Sequence, residues 1–160
     1  MKLPERLPDE FVSGINELSI DASSIIYLLK VGILGSVSAE IRLLASPKII
    51  EEVGWPRLPI TPTHLDRKGL TNDETVVELA KIRRIPVMSE DFEVLESAGA
   101  NGLNYYNTLM ILNYLLMKKR ISREDYPQYF SRLKEISHYS EEILQYGLRI
   151  KEQVCLELDK

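Results

Sequence analysis

Four places along the chain set a carboxylate where an apolar run stops or a helix begins: Asp21, Glu51-Glu52, Asp73 and Asp91. Asp21 follows Leu18-Ser19-Ile20, and Asp91 follows Val87-Met88-Ser89. An acid ending an apolar strand is costly unless it is paired or liganded. In a parallel sheet the strand C-termini and the helix N-termini that follow them share one edge, where ligands bind. Asp21, Asp73 and Asp91 are therefore expected to converge, with Glu51 or Glu52 reaching in from a neighbouring helix. Carboxylates so gathered repel, and are relieved by protonating one or by a divalent cation. An all-oxygen site without His or Cys suits Mg²⁺ or Mn²⁺ rather than Zn²⁺. Such an ion lowers the pKa of a bound water and stabilises charge on a phosphoryl group, the chemistry of phosphodiester hydrolysis.

The elements that must carry these acids follow from periodicity and caps. A strand over Glu17 to Asp21 passes into a helix of apolar period (Ile25, Ile26, Leu28, Leu29), capped by Ser23 or Ser24 and stopped at Gly32. A helix over Gly35 to Ile41 and a strand over Arg42 to Ala45 come next. Ser46-Pro47 then reads as an N-cap with proline at the first helical position, opening a short helix from Lys48 to Val53. Pro56, Pro59 and Pro62 predict an extended loop as far as Gly69. Thr71 with Glu74 is a capping box, opening a helix whose apolar face is Val76, Val77, Leu79, Ala80 and Ile82. A strand over Ile85 to Ser89, a helix from Glu90-Asp91-Phe92 to Gly99, and a weak strand near Leu103-Asn104 complete the alternation. Three helical segments close the chain: Asn107 to Lys119, Ser122 to Ile136 with Ser122 and Asp125 as a capping box, and Ser140 to Leu158. Residues 1–16 read as an irregular lead-in.

Alternating strands and helices predict an α/β fold, a three-layer α/β/α arrangement around a parallel sheet. The expected organisation is a single domain, with a core over about 17–106 and a helical C-terminal extension over about 107–158 packed on it. A chain of 160 residues is long enough to bury a substantial core. The net charge of −4 gives no global attraction to nucleic acid, so binding to it would need a local basic face. The lone Cys155 excludes an intramolecular disulfide and a cysteine-based zinc site, and points to a reducing compartment. No signal-peptide pattern and no membrane-length apolar run is read, so a cytoplasmic protein is expected.

Each acid also has a structural reading. Asp73 and Glu74 lie in a first helical turn, where acids complement the helix dipole, and Asp91 suits the N-cap before Phe92. Arg83-Arg84 and Lys118-Lys119 end helices and are candidate phosphate contacts, against the reading that cations there complement the dipole. Tyr105, Tyr106 and Tyr114 are base-stacking candidates, against a core reading. His64 and His138 have no partner at metal or triad spacing, and Trp55 and Cys155 read as packing residues.

The order of these segments resembles the PIN-domain family of metal-dependent ribonucleases, over about Leu18 to Gly99. Ser19-Ile20-Asp21-Ala22-Ser23 resembles the family's opening strand and first acid. Ser46-Pro47-Lys48-Ile49-Ile50-Glu51-Glu52-Val53 is similar to its second segment, and spacing from the proline favours Glu52. Leu70-Thr71-Asn72-Asp73-Glu74 looks like the helix start with the third acid, and Pro86-Val87-Met88-Ser89-Glu90-Asp91-Phe92 like the strand-then-Ser/Thr-x-Asp segment. The longer C-terminal helices look like those of archaeal-type stand-alone members rather than the compact toxin-like ones. The resemblance implies a hydrolase, an endonuclease of single-stranded RNA. In it Asp21, Glu52, Asp73 and Asp91 hold one or two Mg²⁺ or Mn²⁺ ions, and a metal-activated water attacks the phosphodiester. Ser23, Ser89 and Glu74 would support the ligands. It also leaves an alternative: a catalytically weak member that binds RNA or protein in a toxin–antitoxin pair or RNA-processing complex. An antitoxin-like partner and a homo-oligomer are the expected assemblies. A receiver domain would want paired acids after the first strand, and a haloacid-dehalogenase-type phosphatase Asp-x-Asp, which Asp21-Ala22-Ser23 does not supply.

Overall fold

In the computed structural model, which describes residues 6–160, short apolar runs form strands and each is followed by a capped helix. In chain order these are α1 (Asp9–Ser13), β1 (Glu17–Ile20), α2 (Ala22–Val31), α3 (Leu34–Glu40), β2 (Arg42–Ala45) and α4 (Pro47–Val53). There follow β3 (Thr61–Pro62), α5 (Asn72–Arg83), β4 (Val87–Met88), α6 (Phe92–Ala100) and β5 (Tyr105–Tyr106). The chain closes with α7 (Thr108–Met117), α8 (Tyr126–Ile136) and α9 (Glu141–Leu158). The strands form one parallel sheet in the order β3-β2-β1-β4-β5, flanked by helices, which is the expected α/β class.

That order sets the site. From β1 the chain winds outward through β2 and β3, then returns to the other side of β1 for β4 and β5. The winding reverses between β1 and β4, the position at which open α/β sheets leave a crevice beyond their strand ends. Ile20 pairs with Met88, so Asp21 and Ser89 are the first residues past the edge on adjoining strands. The Asp21 amide donates to Met88 O at 3.2 Å and the Ser89 amide to Tyr106 O at 3.1 Å, holding the two turns in step.

The strands are buried on both faces, as parallel strands between helical layers must be. Ser19, fully buried in β1, satisfies its hydroxyl by donating to Val76 O of α5 at 2.7 Å. On α7 every residue from Thr108 to Leu116 is buried, the pattern of a helix packed all round. Its one amide, Asn113, accepts from the Tyr126 hydroxyl of α8 at 2.5 Å and donates to Gly147 O of α9 at 2.9 Å. One buried apolar cluster therefore runs from Phe11 to Val154.

Several expected elements differ. The proline-rich loop contains β3, which pairs parallel with β2; Pro62 fits there because β3 is an edge strand. The lead-in forms α1, anchored by buried Phe11, and its residues 1–5 lie outside the described ones. The last strand is Tyr105–Tyr106 rather than near Leu103-Asn104: Asn104 O accepts from the Val87 amide, and the paired register begins with Tyr105 opposite Val87. Helix α8 begins at Tyr126, Ser122 Oγ instead accepting from the Asp125 amide at 3.1 Å. On α5 the buried stripe ends with Ala80, and Ile82 in the last turn is 62% exposed. Trp55, expected to pack, is 61% exposed. Among the described residues no single helix is long and apolar enough to cross a membrane.

Candidate acidic site at the sheet edge

Asp21 is the N-cap of α2, where Ser23 or Ser24 was expected. Its carboxylate is almost wholly buried and accepts from the Ser24 amide at 2.9 Å, from Ser23 Oγ at 3.1 Å and from Ser89 Oγ. Burial pushes this carboxyl upward, and the bonds from Ser89, Ser24 and Ser23 partly pull it back. Ser89 in turn accepts from the Asp91 amide at 3.0 Å, so one serine ties the strand-end acid of β1 to the turn after β4. Ser23 and Ser89, the expected supports, both donate to the Asp21 carboxylate.

The other expected acids lie on separate elements. Asp91 is the N-cap of α6 and accepts from the Glu93 amide at 2.8 Å. Glu52, in the last turn of α4, accepts from Asn72 Nδ2 at 2.9 Å, which sets it beside the first turn of α5; among the described residues nothing links Glu51 there. Asp73, exposed in that first turn, has its carboxyl raised by partial burial and then by the charges of Asp91, Asp21, Glu52 and Glu93. Asp73 is thus the one of the four expected acids whose carboxyl is raised partly by the charges of the other three. Among the described residues no three His, Cys, Asp or Glu side chains are gathered closely enough to enclose a metal ion. Glu74 is committed elsewhere: it closes the capping box, accepting from the Thr71 amide at 3.1 Å while Thr71 Oγ1 accepts from its own amide. Those bonds hold its carboxyl below the usual range.

The basic candidates do not border this edge. Asp73 is in the first turn of α5 and Arg83 in its last, so at about 1.5 Å per residue the two lie roughly 15 Å apart. Arg83 makes two bonds, of 2.9 and 3.2 Å, to Glu17 at the start of β1, the opposite edge of the sheet. Arg84 follows it in a left-handed conformation. Lys118 and Lys119 likewise follow the far end of α7, with Lys118 over the Tyr114 ring. Tyr106 and Tyr114 are core residues, as the packing reading expected, whereas Tyr105 is only partly buried.

One residue at this edge was not singled out from the sequence: Glu90. Its Oε1 accepts from the Thr108 amide at 3.1 Å and from the Tyr139 hydroxyl; its Oε2 accepts from Thr108 Oγ1 at 3.0 Å and from Ser24 Oγ. Burial raises this carboxyl, against the bonds from Ser24, Tyr139 and Thr108. Ser24 thereby joins both buried acids, its amide on Asp21 and its hydroxyl on Glu90. The local signal was present, since Glu90 also follows a strand directly, but its partners lie 18, 49 and 66 residues away in sequence.

Set against protein-family models, curated proteins and solved structures, the chain matches none.

Proposed function

We propose that this chain is a metal-dependent endoribonuclease that hydrolyses phosphodiester bonds of single-stranded RNA at the edge between β1 and β4. The observation that carries the reading is the placement of Asp21 and Asp91 on adjoining turns at the reversal point of the sheet, tied through Ser89, with Glu52 bonded to Asn72 next to Asp73 at the start of α5. The donor set is all oxygen, the chemistry that fits Mg²⁺ or Mn²⁺, and a cation would offset the like charges that help raise the Asp73 carboxyl. Asp21, Glu52, Asp73 and Asp91 would hold the ion, which when bound supplies an acidified water and neutralises charge on the phosphate.

The chain's own residues do the positioning. Ser89 and Ser23 fix the Asp21 carboxylate by donating to it, and Ser24 fixes its rotamer through the backbone. Ser89 also accepts from the Asp91 amide, so one side chain bonds to both acids' positions. Asn72 restrains Glu52 at the mouth of α5. No side-chain nucleophile is required.

The test is to incubate the protein with single-stranded RNA, with and without Mn²⁺, beside the Asp21→Asn, Asp91→Asn double variant. Metal-dependent cleavage that disappears in the variant supports the enzyme. Equal cleavage by the variant removes the site. Metal binding without cleavage of any RNA moves the reading to a PIN-like protein that works by binding a partner.

A further inference from the structure

Beside the acidic edge lies a cavity of about 370 Å³, within the range of small-ligand sites. Its walls carry six aromatic rings, from Tyr27, Phe92, Tyr105, Tyr106, Tyr139 and Tyr146. Lys and Arg are absent from its lining, and Glu90 forms part of it, so a phosphate or carboxylate is disfavoured inside. Glu90 has no acceptor capacity to spare for a ligand, since each of its oxygens already accepts two bonds. One hydrogen of Asn104 Nδ2 and the Tyr106 hydroxyl are also committed, both donating to Glu10 Oε1 at 2.6 Å. Asn107 spends its Oδ1 on the Met110 amide at 2.9 Å, leaving its two Nδ2 hydrogens without a partner among the described residues. Among the described residues the His138 imidazole and the hydroxyls of Tyr105 and Tyr146 make no side-chain hydrogen bond either. The pocket thus offers flat faces for stacking together with neutral donors and acceptors at its margin.

We infer that this cavity is a nucleobase pocket, which receives one unstacked base while the adjoining backbone lies along the acidic edge. Neutral hydrogen-bonding groups around aromatic faces match a planar heterocycle with a polar rim, the features by which single-stranded bases are held. The pocket and the acids are joined covalently and by hydrogen bonds: Glu90 and Phe92 flank Asp91, and Ser24 bridges Glu90 to Asp21. That the base belongs to an RNA strand rests on the proposed nuclease reading; the affinity of the pocket for a base does not.

The test is therefore made on the full chain in metal-free buffer, titrating the four free nucleosides while following NMR shifts and tyrosine fluorescence, with decanoate as a non-aromatic control. At least one nucleoside is expected to bind in the micromolar-to-millimolar range. Phe92→Ala, at a half-exposed ring on the first residue of α6, should weaken it about fivefold or more without unfolding the chain. Tyr105→Leu should do the same while keeping an apolar side chain against Gly99. Binding of decanoate but of no nucleoside, or nucleoside binding that neither variant weakens, overturns the pocket. Nucleoside binding by a protein that cleaves no RNA upholds the pocket and removes only the nuclease.

Discussion

Replacing Glu90 should separate its role as an acceptor from its charge. It takes four hydrogen bonds from three residues on α2, α7 and the segment before α9. In Glu90→Ala, the Thr108 amide, on a residue fully buried at the start of α7, loses its partner, and the hydroxyls of Thr108, Ser24 and Tyr139 must find others. A buried donor left unmade costs about 1–3 kcal/mol, while hydroxyls rotate and recover part of theirs, so the sum is about 2–4 kcal/mol. For a chain of this length that lowers Tm by roughly 4–16 °C. Glu90→Gln should cost far less. Its amide oxygen, placed as Oε1, still accepts from the Thr108 amide and Tyr139, and its NH₂ faces two hydroxyls that turn to accept. Calorimetry or urea unfolding of both variants is the assay. Glu90→Ala unfolding at the wild-type midpoint, or Glu90→Gln falling as far as Glu90→Ala, would refute the acceptor role.

Other expectations follow from single contacts. A Cβ on Gly147 would sit 2.3 Å from Leu109 Cδ2 and 2.6 Å from its Cγ, so Gly147→Ala should destabilise by about 1–3 kcal/mol, against a helix-propensity gain of about 1 kcal/mol. Leu109→Ala in the same chain should make the second change non-additive in denaturant melts, and additive behaviour would disprove the clash. Tyr106, Tyr126 and Tyr139 all have phenols raised above 10, chiefly by burial. The unfolded chain therefore loses these protons first, so stability should hold below about pH 10 and fall above it, by up to about 1.4 kcal/mol per pH unit for each phenol. Urea midpoints across that range should show a shallower fall for Tyr126→Phe; an unchanged slope would count against it. Asp21→Asn keeps a competent N-cap and removes a buried charge, so it should unfold within about 1 kcal/mol of wild type, and a much larger loss would make Asp21 structural.

What could be read from the sequence was local. The Thr71/Glu74 capping box, the Ser46-Pro47 helix start and the Asp91 cap are each written within four residues, and each forms. The apolar runs before Asp21 and Ser89 likewise sufficed to place two acids at strand ends. Pairing between strands has no such local signature. β3 is two residues long and contains proline, so only its place beside β2 makes it a strand. The partners of Glu90 come from three distant segments, and no spacing rule connects them. The basic helix ends misled for a related reason: local sequence shows a cation at a C-terminus, but not that parallel topology carries it to the edge opposite the acids.

The acids at this edge then divide by what satisfies them. Asp21 and Glu90 are met by the chain's own donors, seven in all, three on Asp21 and four on Glu90. Glu52, Asp73 and Asp91 are exposed, and among the described residues Asp73 has no side-chain hydrogen bond to offset the charges that raise it. A fold under selection for stability alone would gain by neutralising Asp73, because water screens its repulsion only in part. On the proposed metal reading, a hard cation would relieve that repulsion, with the exposed three supplying attraction and the buried one a fixed direction. On this reasoning Asp73→Asn should be stability-neutral or mildly stabilising without metal, and should weaken Mn²⁺ binding. If it instead destabilises the metal-free protein and leaves Mn²⁺ affinity intact, the acids belong to the helix caps and not to an ion.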